Sequence, residues 1–537
     1  MSRKTRNIII ILLLAVLVSW GVLRTADLRG SAVSDVQMIS YNQELVMAET
    51  ADDYRTTYEI FVGSFSDSDG DGIGDLNGIR NKLDYIADTG FDQIWLTPIF
   101  PSDTYHKYDA KDYFSIDPAF GTMEDFEALV EACHERGIRV LLDLPLNHTS
   151  SAYPWFVQAS ECLQTTAVEN AGNCPYMPFY HFSREAQDGY APLGESGWYY
   201  EARFWSEMPD LNLDDPGVRN EIFYVLAYWL DHGADGFRLD AVTSYYTGNP
   251  EANREFLRWL KETCTSLDPD SYLVGEAWTD RKSIAALYES GIDSLFDFPF
   301  GNVDGIIYRV ITGDVTAAAY VKGLELYEDT YTQANPDYID APFYTNHDMA
   351  RSAGYYAADD GPKIKMAYAL NLFMSGNAFV YYGEEIGMKG SGKDENKRQP
   401  MFWGDDDPAV CEPPAGSDVV EMKFPSLAEQ MQDDLSIYRW FKEVIRVRRS
   451  FPAIARGRTE ADETLCSDTI AAFRRTGEGL SPVLIVMNLS ASAEDVAVAG
   501  DLPEPAAVLN TSTEAITLKS SILHMPGYSI AVFALEE

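Results

Sequence analysis

The sequence predicts an α/β protein: a (β/α)8 TIM barrel with an inserted subdomain after strand 3 and a C-terminal all-β sandwich domain. Three observations carry that expectation. Short apolar runs alternate with amphipathic stretches from residue 56 to about 450, the pattern of strands each followed by a helix. About 65 residues rich in Tyr, Trp, Gly and Pro interrupt the third repeat, too many for a structureless loop. After about residue 455 the helical periodicity stops and short strand-like runs replace it.

The elements follow in chain order. Residues 1–24 read as a signal anchor or a signal peptide. Arg3, Lys4 and Arg6 precede an uncharged run from Ile8 to Leu23 that Arg24 ends. That run is long for the apolar part of a signal peptide and slightly short for a spanning helix. The basic flank keeps the N-terminus inside, so the remaining chain is expected outside, extracellular or at the cell surface. The first cysteine is Cys133, which excludes a lipid-modified cysteine after the run. Residues 25–54 read as a polar linker.

The barrel is expected over 55–455, with strands at 56–65, 91–100, 138–148, 234–242, 272–278, 295–300, 339–347 and 378–387. Helical patterns fall at 122–136, 218–232, 251–265, 361–375 and 434–449. Thr122 followed by Glu124 and Asp125 marks a helix start, with acids on the positive end of its dipole. The inserted subdomain is placed at 149–207 and the C-terminal β-sandwich at 456–537, with strands at 470–474, 483–488 and 530–534.

Composition narrows the function. Hydrophobic residues at 46% and charged residues at 23% describe a globular chain. Forty-one basic against 84 acidic residues give a net charge of −43, which argues against nucleic acid and against docking on anionic lipid. Six cysteines are too few for a disulfide framework. Cys162 and Cys174 lie close together in the insertion and can pair in an oxidising compartment. Cys133 and Cys264 read as buried thiols.

In such a barrel, function sits at the C-terminal ends of the strands. The third strand ends at Asp143 with Asn147 and His148 beyond it, and the fourth at Arg238-Leu239-Asp240. The fifth ends at Glu276-Ala277-Trp278 and the seventh at Asn346-His347-Asp348. Carboxylates, an arginine and two histidines therefore share one rim. That set suits cleavage of a glycosidic bond, where one acid protonates the leaving oxygen and a second carboxylate faces the anomeric carbon. An arginine beside the nucleophile favours its charged form, and burial raises the pKa of the acid.

These motifs resemble those of the α-amylase family, glycoside hydrolase family 13, over residues 54–537. The matching segments are Asp143-Leu144-Pro145-Leu146-Asn147-His148, Gly236-Phe237-Arg238-Leu239-Asp240, Gly275-Glu276-Ala277-Trp278 and Thr345-Asn346-His347-Asp348. The resemblance implies that Asp240 is the nucleophile and Glu276 the general acid/base. Asp348 would bind the 2- and 3-hydroxyls of the distorted sugar, Arg238 would hold Asp240, and His148 and His347 would hydrogen-bond the sugar in subsite −1. Tyr108 would be the ring under that sugar; an aromatic face against a pyranose is physically sensible.

The first strand leads into Asp67-Ser68-Asp69-Gly70-Asp71-Gly72-Ile73-Gly74-Asp75. Alternating oxygens with glycines between them can wrap a hard cation. The same loop is a calcium site in the oligo-1,6-glucosidase and neopullulanase-like branches, which implies Ca2+ on Asp67, Asp69, Asp71 and Asp75 with the Ile73 carbonyl. A second, amylase-type calcium site would use Asn147 and Asp210. Met208-Pro209-Asp210-Leu211-Asn212 resembles the branch intermediate between oligo-1,6-glucosidases and neopullulanases, Tyr381-Tyr382-Gly383-Glu384-Glu385 the family's eighth-strand motif, and Arg398 through Trp403 a loop of bacterial members. One departure stands out: many α-amylases carry Lys-His shortly after the nucleophile, and here Thr243-Ser244 occupies those positions.

The expected function is an exported, retaining hydrolase of α-1,4-linked glucans and maltooligosaccharides, an endo-acting α-amylase. The alternatives are an α-glucosidase or neopullulanase-like enzyme on short or branched oligosaccharides, or a transglycosylase. From another class, the heavy chains of heteromeric amino-acid transporters pair one N-terminal anchor with an amylase-like ectodomain and no catalysis.

Overall fold

The computed structural model describes residues 39–41, 45–356, 361–499 and 502–536. The parallel strands Thr56–Ile60, Gln93–Leu96, Arg139–Leu144, Gly236–Leu239, Tyr272–Gly275 and Ser294–Leu295 pair in chain order. Ala378–Tyr381 pairs with the first of them. The seventh stave is reduced to two bridges, Phe296 with Ala341 and Phe343 with Phe379, and these close the barrel. Nearly every strand residue is buried, as expected where helices cover a parallel sheet. Alternate residues form a separate cluster, among them Trp95, Leu141, Tyr272, Val274 and Phe379, which fills the barrel interior.

The strands are shorter than the apolar runs that predict them. The first ladder ends at Ile60, and Val62–Phe65 turns into one helical turn, yet Phe61, Val62 and Phe65 stay buried. An apolar run reports burial, and at the barrel mouth burial continues past the last paired residue. The helices Met123–His134, Pro216–Asp231, Pro250–Leu267, Gly361–Leu372 and Ile437–Ser450 lie where periodicity places them. Thr122 and Asp125 form a reciprocal capping box, while Asp215, Asn249 and Ser436 cap their helices through side-chain oxygens.

The insertion after the third strand opens with helix Pro154–Thr165 and continues into a small antiparallel sheet of Phe182–Ser183, Tyr199–Glu201 and Tyr190–Pro192. A disulfide joins Cys162 to Cys174. The chain then returns beside the strand end it left, through a bridge between Asp210 and His148.

The C-terminal region is two antiparallel sheets with a shared core of Leu484, Val486, Phe533, Leu523 and Met525. Arg475, fully buried, donates to Glu328 at 2.6 Å and ties this region to helix Ala317–Ala334. Strand Ile39–Tyr41 pairs antiparallel with Ala507–Asn510. The stretch that follows it lies against the barrel: Leu45 is buried, the Ala48 N–H donates to the Arg449 carbonyl, and Thr50 donates to Asp92. The described part of the expected 25–54 linker is thus attached chain. Among the described residues no helix is long and apolar enough to cross a membrane, and the apolar run 8–23 lies outside them.

The disulfide closes a loop of 12 residues, so replacing both cysteines with serine should lower the stability of the insertion by about 2–3 kcal/mol. The check is proteolysis between residues 166 and 198 together with the urea midpoint. Faster cleavage and a lower midpoint are expected; no change in either would count against the disulfide as its staple.

Candidate active site

Arg238 lies inside the barrel mouth with no exposed side-chain surface. Its Nη1 donates to Asp143 Oδ1 at 2.9 Å and to Asp240 Oδ1 at 2.6 Å. Its Nη2 is ion-paired with Glu276 Oε2 at 3.1 Å. Strand register makes this possible. Asp143 and Arg238 are direct cross-strand partners, so both side chains point to the same face. The other oxygen of Asp143 accepts from Trp95 Nε1 at 3.1 Å and from the Tyr108 hydroxyl at 2.9 Å.

A second chain of contacts runs across the opposite side of the mouth. Glu59, on the first strand, accepts from the main-chain N–H of His347 at 3.1 Å and lies 2.6 Å from its Nδ1. The His347 Nε2 lies 2.7 Å from the Tyr108 hydroxyl and 3.2 Å from Asp348 Oδ2. Tyr108 and His347 have parallel rings, 5.5 Å between centroids. Arg398 donates from Nη2 to Asp348 Oδ1 at 2.8 Å and from Nη1 to the Tyr105 hydroxyl at 2.7 Å.

Above these groups lies a cleft of about 490 Å³. Asp240, Glu276 and Asp348 line it, with Tyr108, His148 and His106. Arg238 and His347 lie beneath its floor with no exposed side-chain surface. The walls are aromatic: Phe204 and Trp205 come from the end of the insertion and Trp278 from the fifth strand's loop, each about half exposed. Trp278 stacks on Phe298. A larger open groove of about 760 Å³ runs along helix Pro216–Asp231, with Glu221, Tyr224, Tyr228 and Asp231, and gathers no comparable set of acids around a buried cation.

Ala241, directly after Asp240, has φ +47°, a left-handed backbone that costs a non-glycine residue roughly 1–3 kcal/mol. The turn aims its N–H at Glu276 Oε2, 3.0 Å away. Burial, opposed by Arg238 and reinforced by Asp240 and Asp348, pushes the Glu276 carboxyl up to about 7. Burial also lifts Asp143, to about 6. At Asp348 burial is outweighed by His347, Arg398, Arg238 and Lys397, which hold the carboxyl down at about 2. Burial pushes His347 down, but Asp348 and Glu59 outweigh it and raise it above its ordinary value. His148 is lowered by burial, and His106 is pushed down to about 4 for the same reason. One acid that holds its proton near neutrality therefore faces one that gives it up.

All seven predicted catalytic and sugar-binding residues, Asp240, Glu276, Asp348, Tyr108, His148, Arg238 and His347, meet here. His148 uses Nε2 on the Tyr108 carbonyl at 3.2 Å, so its imidazole also braces the loop that carries Tyr108. Sequence reasoning did not assign roles to Glu59, Trp95, Arg398 or the aromatic wall at Phe204 and Trp205. A lone acid inside an apolar strand run is the one signal that marks Glu59.

In the loop after the first strand, Asp67, Asp69 and Asp71 each bring a carboxylate oxygen within 4.8 Å of the others. Gly70 and Gly72, with φ of +86° and +90°, make the turn between them. Carboxylate oxygens are hard donors of the kind a calcium-sized cation takes. Asp75 lies outside the trio: its carboxylate accepts from the Ser68 N–H and hydroxyl and from the Gly78 N–H, capping helix Leu76–Asn81. Asn147 donates to Asp210 at 3.1 Å, and both line a hollow of about 200 Å³ with Glu201 and His181.

Residues 59–457 match the family described as alpha amylase, catalytic domain. The chain is 38% identical over 443 residues to "Alpha-amylase 3" of Dictyoglomus thermophilum, covering 81% of this chain and 84% of that one. Among solved structures it is similar to Eubacterium rectale Amy13B, with a TM-score of 0.89, 43% identity, and 92% and 98% of the two chains covered. It is also similar to an alpha-amylase from H. orenii, with a TM-score of 0.78, 33% identity and 90% and 100% coverage. With these matches laid over a (β/α)8 barrel whose rim gathers three acids about one buried arginine, the chain belongs to the α-amylase family, glycoside hydrolase family 13, and is an enzyme acting on glycosidic bonds.

Proposed function

We propose that this enzyme is an exported, retaining α-amylase that cuts α-1,4-linked glucans and maltooligosaccharides internally. The observation that carries the reading is the placement of the acids: Asp240 and Glu276 meet the same buried guanidinium, Arg238, at 2.6 and 3.1 Å, and line one cleft with Asp348. Glu276 protonates the glycosidic oxygen as the bond to the anomeric carbon breaks. Asp240, held by Arg238 at 2.6 Å, attacks that carbon and forms a glycosyl ester. Asp348 steadies the positive charge of the oxocarbenium-like transition state. Glu276, now a carboxylate, takes a proton from water, which attacks the same carbon and frees Asp240.

The endo character draws support from the open aromatic walls at Phe204, Trp205 and Trp278 and from relatives named alpha-amylase. Export draws support from the basic-flanked apolar run 8–23 and from the Cys162–Cys174 disulfide, since disulfides persist in oxidising compartments. Transfer to a sugar acceptor is a second reading, favoured by the same walls with Thr243 and Ser244 where many α-amylases have Lys-His. Asp67, Asp69 and Asp71 would hold Ca2+, which when bound supplies stiffness to the loop between the first strand and helix Leu76–Asn81.

Asp240→Asn should abolish turnover and leave the fold intact, checked by circular dichroism beside activity on soluble starch, maltoheptaose, pullulan and maltose. Internal cuts in starch and maltoheptaose with little action on maltose are expected. Glucose from maltose would mark an α-glucosidase, and products longer than maltoheptaose would mark transfer.

The basic limb of kcat/KM should fall near pH 7, about tenfold per pH unit above it, because Glu276 must carry its proton into the reaction. Glu276→Gln should be inactive at every pH. A rate still flat at pH 9 would remove Glu276 as the acid.

EDTA should lower the melting temperature, and Ca2+ at a hundredfold excess over Kd should restore about 2.7 kcal/mol. The response should vanish in Asp69→Ala/Asp71→Ala. A melting curve indifferent to EDTA and Ca2+ would refute the site.

A further inference from the structure

Arg398 belongs to none of the barrel strands. It follows helical turn Asp394–Lys397, in the excursion beyond the last strand, yet it is 4% exposed and reaches the cleft. Three contacts fix it: Nη2 to Asp348 Oδ1 at 2.8 Å, Nη1 to the Tyr105 hydroxyl at 2.7 Å and Nε to the His347 carbonyl at 3.2 Å. The faces of Phe61 and Tyr105 each lie 5.4 Å from the guanidinium carbon. The fork cannot turn without losing several of these at once.

The neighbouring cation is not equivalent. Lys397 Nζ donates to the main-chain carbonyl of Asp348 and to Asp394. Among the described residues that leaves one partner for each carboxylate oxygen of Asp348, Arg398 on Oδ1 and His347 on Oδ2. The Asp348 side chain keeps 34% of its surface exposed, and it lines the cleft. A carboxylate so exposed and held through one oxygen would swing, and a misplacement of about 1 Å can cost about a hundredfold in rate.

We propose that Arg398 is a positioning residue of this enzyme, fixing the Asp348 carboxylate through Oδ1 in the orientation in which it meets the distorted sugar. The inference rests on the place given to Asp348 in the reaction. The charged and titratable groups about Asp348 are Arg398, His347, Arg238, Lys397, Glu276 and Tyr108, with His106, and with Asp394 and Tyr105 bound to Lys397 and Arg398. Without the Arg398 charge, Asp348 binds its proton at higher pH, so the acid limb of activity moves up.

The test compares the full-length protein with R398Q, R398K, D348N and R398Q/D348N, using maltoheptaose across the pH range. R398Q should lower kcat about a hundredfold with KM little changed. Its acid limb should move to higher pH. R398K should recover part of the rate, since lysine restores the charge but not the fork. In the D348N background R398Q should cost nothing further, because a residue acting through Asp348 has nothing left to position. Losses that add in the double variant, or R398K no more active than R398Q, would overturn the proposal. Wild-type turnover in D348N would instead overturn the role of Asp348, and with it this inference. If R398Q does not fold, R398K with R398K/D348N carries the same comparison.

Discussion

One guanidinium, buried without exposed surface, sits among three carboxylates from three neighbouring strands. Removing one partner from a buried charged pair costs about 3–5 kcal/mol, because the remaining charge is stranded away from water. Here the loss would strand three acids, Asp143, Asp240 and Glu276, against one another. The geometry that prevents this is strand register. Arg238 lies opposite Asp143 on the third strand and opposite Val274 on the fifth. A slip of one residue would turn Arg238 outward toward the helices. The apolar packing of Trp95, Leu141, Val274 and Phe379 inside the barrel therefore fixes the register on which the charges depend.

From that centre the site divides its acids by environment rather than by type. Asp348 lies next to His347 and Arg398 and is held down at about 2. Glu276 faces Arg238 as well, but only through an ion pair on Nη2, and burial with two neighbouring acids lifts it to about 7. Two carboxyls in one cleft thus hold different protonation at neutral pH, the arrangement acid catalysis needs. The left-handed turn at Ala241 belongs to the same design, since it aims a main-chain N–H at the oxygen of Glu276 that also meets Arg238.

The barrel and its carboxylates were readable from sequence because each strand end is a short contiguous segment with its functional residue at a set distance from an apolar run. Arg238 and Asp240 sit two residues apart, and register does the rest. The seventh stave falls within the expected 339–347, though its pairing is reduced to the bridges at Ala341 and Phe343. The helices Arg281–Tyr288 and Ala317–Ala334 fall between barrel strands, as a strand-then-helix repeat requires, whereas strand Ile39–Tyr41 lies within the stretch that reads as linker, because three residues leave no pattern. Asp75 reads as a metal ligand in a row of alternating aspartates, and in the structure one of its oxygens also caps the next helix through the Gly78 N–H.

For two of the unassigned residues the physical reason is distance along the chain between partners. Glu59 meets His347 over 288 residues, and Arg398 meets Tyr105 over 293. Phe204 and Trp205 arrive from an insertion with its own sheet and disulfide. A strand end is constrained by the barrel and varies little in position, whereas an insertion or a late excursion can lengthen or turn without disturbing the core. The bond-breaking groups stand on the first kind of element, as does the wall at Trp278, while Phe204 and Trp205 stand on the second.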